Sequence, residues 1–146
     1  MLEIEMANDC YKYLSEHCEY VNMVREVPFL SRCIDLVLIS TEGEIISIEF
    51  KIKNWRHAIE QVKNHMLGAD RAYICLPHKN PSKTLLEALE AANIGLYLYS
   101  PNDPDIMVEA IPAPHNDNKV NAFQNILKIT VEKLSTNNHI PCYQKA

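Results

Sequence analysis

The chain has 146 residues, 47% apolar and 23% charged, with 14 Lys and Arg against 19 Asp and Glu for a net charge of -5. That length suits one domain rather than a repeat array, and the composition is that of a folded chain rather than a disordered or collagenous one. The acidic balance disfavours a protein that coats nucleic acid by bulk charge but allows a local basic groove; no apolar run nears the roughly 20 residues of a membrane span, and acids stand where a signal peptide needs bases, so a cytoplasmic protein is expected.

Residues 3 to 17 place Met6, Ala7, Cys10, Tyr13 and Leu14 at the three-and-four spacing of an amphipathic helix. YVNMVREVPF has enough β-branched residues for a strand, restricted by Pro28 to an edge or an end. CIDLVLIS, from Cys33 to Ser40, and IISIEFKIK, from Ile45, read as a hairpin joined through TEGE. Asn54 is positioned to cap a helix from Trp55 to about Leu67 with a buried stripe of Trp55, Ile59, Val62 and Met66, ended by Gly68. RAYICLP is a buried strand closed by Pro77, and the intervening helix predicts a parallel right-handed crossover. Ser82 caps KTLLEALEAAN, the Asn93 to Gly95 signal ends it, and GLYLYS completes a second such unit. Residues 101–118, with four prolines around one edge strand, IMVEAI, read as a surface excursion. A final amphipathic helix, about 119–135, carries Val120, Phe123, Ile126, Leu127, Val131 and Leu134, and the polar tail after Ser135 is expected to fray.

The strand IISIEFKIK puts Ile46, Ile48, Phe50 and Ile52 on one face and Ser47, Glu49, Lys51 and Lys53 on the other. A solvated face would explain the ionic side, but helices in both crossovers should cover much of the sheet. Asp35 interrupts its own apolar strand, where an unpaired carboxylate costs several kcal/mol. If Asp35 and Glu49 converge, they repel unless one is protonated or a cation intervenes. Oxygen-only ligation with room for water suits Mg2+ or Mn2+. Lys51, about 7 Å further along the same face, can reach a phosphate oxygen. Parity tests this. A two-residue Glu42-Gly43 turn sets Asp35 opposite Phe50, on the wrong face; a loop from Thr41 to Gly43 pairs Ser40 with Glu44 and sets Asp35 opposite Glu49, as would a longer odd-numbered loop or a bulge. One of the latter is expected. Five cysteines without a CxxC pair and six histidines without HExxH or HxxxH spacing predict no zinc site and no disulfide framework, with most thiols buried.

Asp35, the hairpin, Glu49-Phe50-Lys51, the following helix and the parallel strand together resemble the PD-(D/E)XK superfamily, the restriction-endonuclease-like nucleases. The resemblance spans about residues 3–100. The stretch IEFKIKNWRHAIEQVKNHMLGADRAYICLP is similar to small members whose helix carries a glutamine, matched by Gln61, ahead of an A-D-R-x-Y strand. Ile34 stands where the family name has proline, a position often varied among members. The resemblance implies an α/β fold with an αβββαβ core, a central mixed sheet flanked by helices, followed here by an additional helix-strand unit and the C-terminal helix in one domain, 1–146. It implies a Mg2+- or Mn2+-dependent nuclease acting on DNA, with Asp35, Glu49, the Phe50 carbonyl and Glu3 as metal ligands. Glu5 and Glu16 are rivals for the last role. Lys51 would position the nucleophile or stabilise transition-state charge, and Gln61 would orient water, Lys51 or a phosphate.

Each residue has a plainer reading. Glu49 and Lys51 could form a cross-strand ion pair, Glu3 could be a first-turn acid favoured by the helix dipole, and Gln61 could be a solvent residue. From Glu49 to Arg71 five basic residues face three acidic ones, a local +2. Lys53, Arg56 and His57 are therefore the candidate nucleic-acid contacts, while Trp55 reads as core rather than as a stacking platform. The alternative to an enzyme is a catalytically silent module of the same fold that binds nucleic acid or a protein partner; a homodimer or partner could also supply grip that so acidic a chain lacks.

Overall fold

The computed structural model describes residues 1–136; the expected fraying of the tail and Cys142 lie outside the described residues. The elements are α1 (Glu3–His17), β1 (Asn22–Phe29), β2 (Arg32–Ile39), β3 (Ile45–Phe50), α2 (Trp55–His65), β4 (Arg71–Pro77), α3 (Lys83–Ala92), β5 (Gly95–Tyr99), β6 (Met107–Ile111) and α4 (Asn121–Thr136). The six strands form one sheet in chain order. β1, β2 and β3 are antiparallel neighbours, β3, β4 and β5 are parallel, and β6 returns antiparallel to β5. Each helical crossover thus yields a parallel pair, as its sequence pattern requires.

Alternation splits the core between the two faces. Met6, Ala7, Cys10 and Leu14 of α1 pack on Leu36, Leu38, Ile48, Phe50, Tyr73 and Cys75. On the other face Val37, Ile39 and Ile45 lie under Leu127 and Val131 of α4, and Ala72, Ile74 and Leu76 lie under Ala58, Ile59 and Val62 of α2 and Leu85 and Leu89 of α3. With helices on both faces, Ser47 and Glu49 of β3 are buried, while Asp35 of β2 is half-buried.

The hairpin between β2 and β3 closes with the odd-numbered loop. Ser40 N–H donates to the Glu44 carbonyl at 2.9 Å, and Gly43 N–H donates to the Ser40 carbonyl. Gly43 has φ 85, the left-handed value that a three-residue loop assigns to glycine. The resulting register pairs Leu36 with Ile48 and Val37 with Ser47. Pro28 lies on β1, an edge strand, where a missing N–H is tolerated.

Several expectations need correction. Asn54 precedes α2 in a left-handed conformation, φ 58, and its carbonyl rather than its side chain starts the helix, because the chain must turn sharply out of β3. The helix ends at His65, and His65 rather than Met66 completes its buried stripe. Gly68 matters for close packing: a Cβ there would meet Phe29 at 2.9 Å. The segment 101–118 is a surface excursion only in its first half. Asn116 is buried, donates its side-chain amide to the Met66 and Ala69 carbonyls, and donates its N–H to the Asp70 carbonyl. Of the four described cysteines, only Cys10 and Cys75 are buried.

Candidate active site

Beyond Leu36 and Ile48 the β2–β3 ladder stops, and a side chain replaces the next backbone partner: Phe50 N–H donates to Asp35 Oδ2 at 2.9 Å. This bond is possible because the register sets Asp35 opposite Glu49, close enough for each carboxyl to act on the ionisation of the other. Burial, then the Asp35 charge, push Glu49 up to about 10. Asp35 is also raised by burial, and further by the Glu3 carboxylate, against the opposing effects of its contact with Glu49, the Phe50 N–H and Arg25. Without a cation the pair therefore retains a proton.

Phe50 and Ile52 both pack on the α1 side, so Lys51 between them projects to the Glu49 side, one residue past the end of β3. Glu3, the first residue of α1, accepts the Ile52 N–H through Oε2 at 2.9 Å, which ties α1 to the end of the active strand. Of the sequence-predicted acids, Asp35 and Glu49 thus stand opposite one another, and Glu3 is held by the Ile52 backbone. Lys53 and His57 are exposed in the turn and first turn of α2, and the Arg56 guanidinium lies 4.3 Å from the Trp55 ring centroid. Trp55 is half-buried, at the margin of the core rather than within it.

Gln61 departs from the solvent reading. It is half-buried, and its Oε1 is buried without a hydrogen-bond partner. One helical turn later lies His65, 1% exposed, which the sequence reading did not single out. Its Nδ1 is 3.7 Å from Glu49 Oε2, too long for a hydrogen bond, and both atoms are buried without partners. Ser47 Oγ, two residues before Glu49, is in the same condition. Four unsatisfied polar atoms thus come from the inner face of α2 and the facing side of β3. Burial, with the Arg32 charge second, lowers His65 to about 4, so the imidazole is neutral at pH 7. The signal available in the sequence was the spacing: residue 65 follows Val62 by three, within the apolar stripe.

No group of three or more His, Cys, Asp and Glu side chains that could hold a metal ion is present among the described residues. The donor set nevertheless fits a hard divalent ion. Two carboxyls that cannot both ionise alone would do so around it, and the main-chain oxygen of Phe50 and waters can fill a shell with open positions.

No protein-family model matches the chain, and no curated protein matches it. Among solved structures it resembles SPO1766, a protein of unknown function from Silicibacter pomeroyi, with 21% identity and a TM-score of 0.66 over 90% of this chain and 84% of that one. It also resembles a repair endonuclease from Pyrococcus abyssi, with 21% identity and a TM-score of 0.57 over 69% of this chain. EndoMS in a complex with double-stranded DNA gives 18% identity and a TM-score of 0.54, again over 69% of this chain. The chain spans 48% and 45% of the lengths of those two nucleases. At such identities the likeness is one of fold: a mixed six-stranded sheet flanked by helices, of the restriction-endonuclease-like kind. No described helix is long and apolar enough to cross a membrane.

Proposed function

We propose that the protein is a metal-dependent nuclease that hydrolyses phosphodiester bonds in DNA. The observation that supports this most is that the hairpin sets the half-buried Asp35 opposite the buried Glu49, with Lys51 soon after, in a fold shared with nucleases. Asp35, Glu49 and the Phe50 carbonyl would hold Mg2+ or Mn2+, with Glu3 as a further oxygen donor. When bound, the ion supplies charge neutralisation at the phosphate and makes water more acidic. Lys51 would offset charge that develops on the phosphorus oxygens, or orient the attacking water. Gln61 would orient water, Lys51 or a phosphate oxygen, and Lys53, Arg56 and His57 would contact the phosphate backbone.

The test is cleavage of single- and double-stranded DNA and RNA with Mg2+ or Mn2+, and then with chelator. Asp35→Asn and Lys51→Ala should each lower the rate by about a hundredfold or more. Unchanged cleavage in both variants would refute the assignment. Saturable Mn2+ binding without cleavage of any substrate would favour the silent binding module instead.

A further inference from the structure

The four residues after Lys51 line a cavity of about 560 Å3 that sits over the C-terminal ends of the parallel strands, where ligands of open α/β sheets bind. Its floor is apolar, formed by Ile52, Leu76 and Leu98 at the ends of β3, β4 and β5 and by Leu85 of α3. Trp55 forms a wall, and the Arg56 guanidinium lies against its ring. Lys53 and Lys79, both exposed, stand at its rim, and no acidic residue lines it. In a chain of net charge -5 that combination is selective: an apolar slot with an indole, two cations and no carboxylate, beginning one residue from the proposed catalytic lysine.

We propose that this cavity receives one unpaired nucleobase adjoining the phosphodiester bond to be cut, so that the preferred substrate has single-stranded character at the site. The volume lies within the range of small-molecule pockets. The base would be buried against Trp55, Ile52 and Leu98 while its flanking phosphates meet Lys53 and Lys79. A paired base cannot enter, because its Watson–Crick edge and its stacking neighbours hold it in the duplex. This inference rests on the nuclease reading for its substrate, but its test does not depend on cleavage.

Trp55 is the sole tryptophan of the chain, so its emission reports the cavity directly. In chelator, titration with tetrathymidylate should change that emission saturably, whereas a blunt-ended duplex should leave it unchanged. Lys79→Glu should weaken tetrathymidylate binding about fivefold or more. Lys128→Glu, which makes the same charge change beside a separate cavity lined by Asp70 and Gln124, should have a much smaller effect. Cleavage of single strands with no change in Trp55 emission would overturn the cavity assignment and leave the nuclease reading standing. A saturable emission change with no cleavage in Mg2+ or Mn2+ would do the reverse. Equal responses to duplex and single strand, or equal weakening by the two lysine variants, would also overturn the inference.

Discussion

Asp70 and Glu49 are both buried acids at the ends of neighbouring central strands, and their surroundings are opposite. Asp70, just before β4, accepts the Ile45 N–H at 2.8 Å through Oδ2, and Gln124 at 3.0 Å and Lys119 at 3.1 Å through Oδ1. Burial alone would raise its pKa, but these donors outweigh burial and hold it below the usual carboxylate value. Glu49, at the far end of β3, meets another carboxyl and a histidine out of hydrogen-bond reach, and its pKa rises to about 10. A fully satisfied acid fixes architecture, joining α4 and the loop before it to the sheet. An acid with a buried oxygen left unpaired costs stability, a pattern more common at binding sites than in scaffold contacts.

The largest effect should follow from the satisfied acid. Asp70→Ala strands the Ile45 N–H and the Lys119 ammonium and should cost about 3 kcal/mol in urea unfolding. The sign with pH follows from a depressed folded-state pKa. Asp70 contributes stability above its unfolded value of 3.8, and that contribution is lost as pH falls through its lower folded value. The wild type should therefore lose stability more steeply than Asp70→Ala on acidification below about pH 4. Parallel acid limbs would show that Asp70 is not the anchor the contacts indicate.

The two acids were unequally legible in the sequence. For Asp35 and Glu49, strand alternation reduced the question to the parity of one short loop, which the Ser40–Glu44 closure answers. The Asp70 network allowed no such reduction. Its donors Lys119 and Gln124 lie 49 and 54 positions later, and Asn116 sits in a proline-rich segment whose composition signals loop whatever it contacts. Gln61 and His65 fall between these cases. Their four-residue spacing puts them on one helix face, but that the face lies over Glu49 depends on how α2 packs on β3, which periodicity does not specify.

The unsatisfied acid should behave in the opposite sense. Because the Glu49 pKa is raised in the folded state, its stabilising contribution is complete below the unfolded value of 4.5 and is lost as pH rises toward about 10. Between those limits the cation-free protein should weaken with rising pH, and Glu49→Gln should flatten that slope and raise stability at pH 8 by about 1 kcal/mol or more. Mn2+ should raise the melting temperature of the wild type and leave that of Glu49→Gln unchanged. A variant less stable than the wild type at pH 8 would mean that the carboxylate is satisfied after all.

The smallest effect distinguishes a supporting residue from a packing one at the same site. His65 is neutral, almost wholly buried and 3.7 Å from Glu49 Oε2, so it would act on a cation only through the carboxylate. Groups behind a ligand orient it and usually change metal affinity by about ten- to a hundredfold when removed. His65→Leu deletes an unsatisfied buried polar atom, so its effect on folding stability should stay within about 1 kcal/mol. Mn2+ affinity measured calorimetrically should nevertheless fall about tenfold, and His65→Gln, which keeps a polar group facing Glu49, should recover part of that loss. A purely structural histidine would give the reverse pattern: a large loss of stability in His65→Leu and an unchanged Mn2+ affinity in the fraction that remains folded.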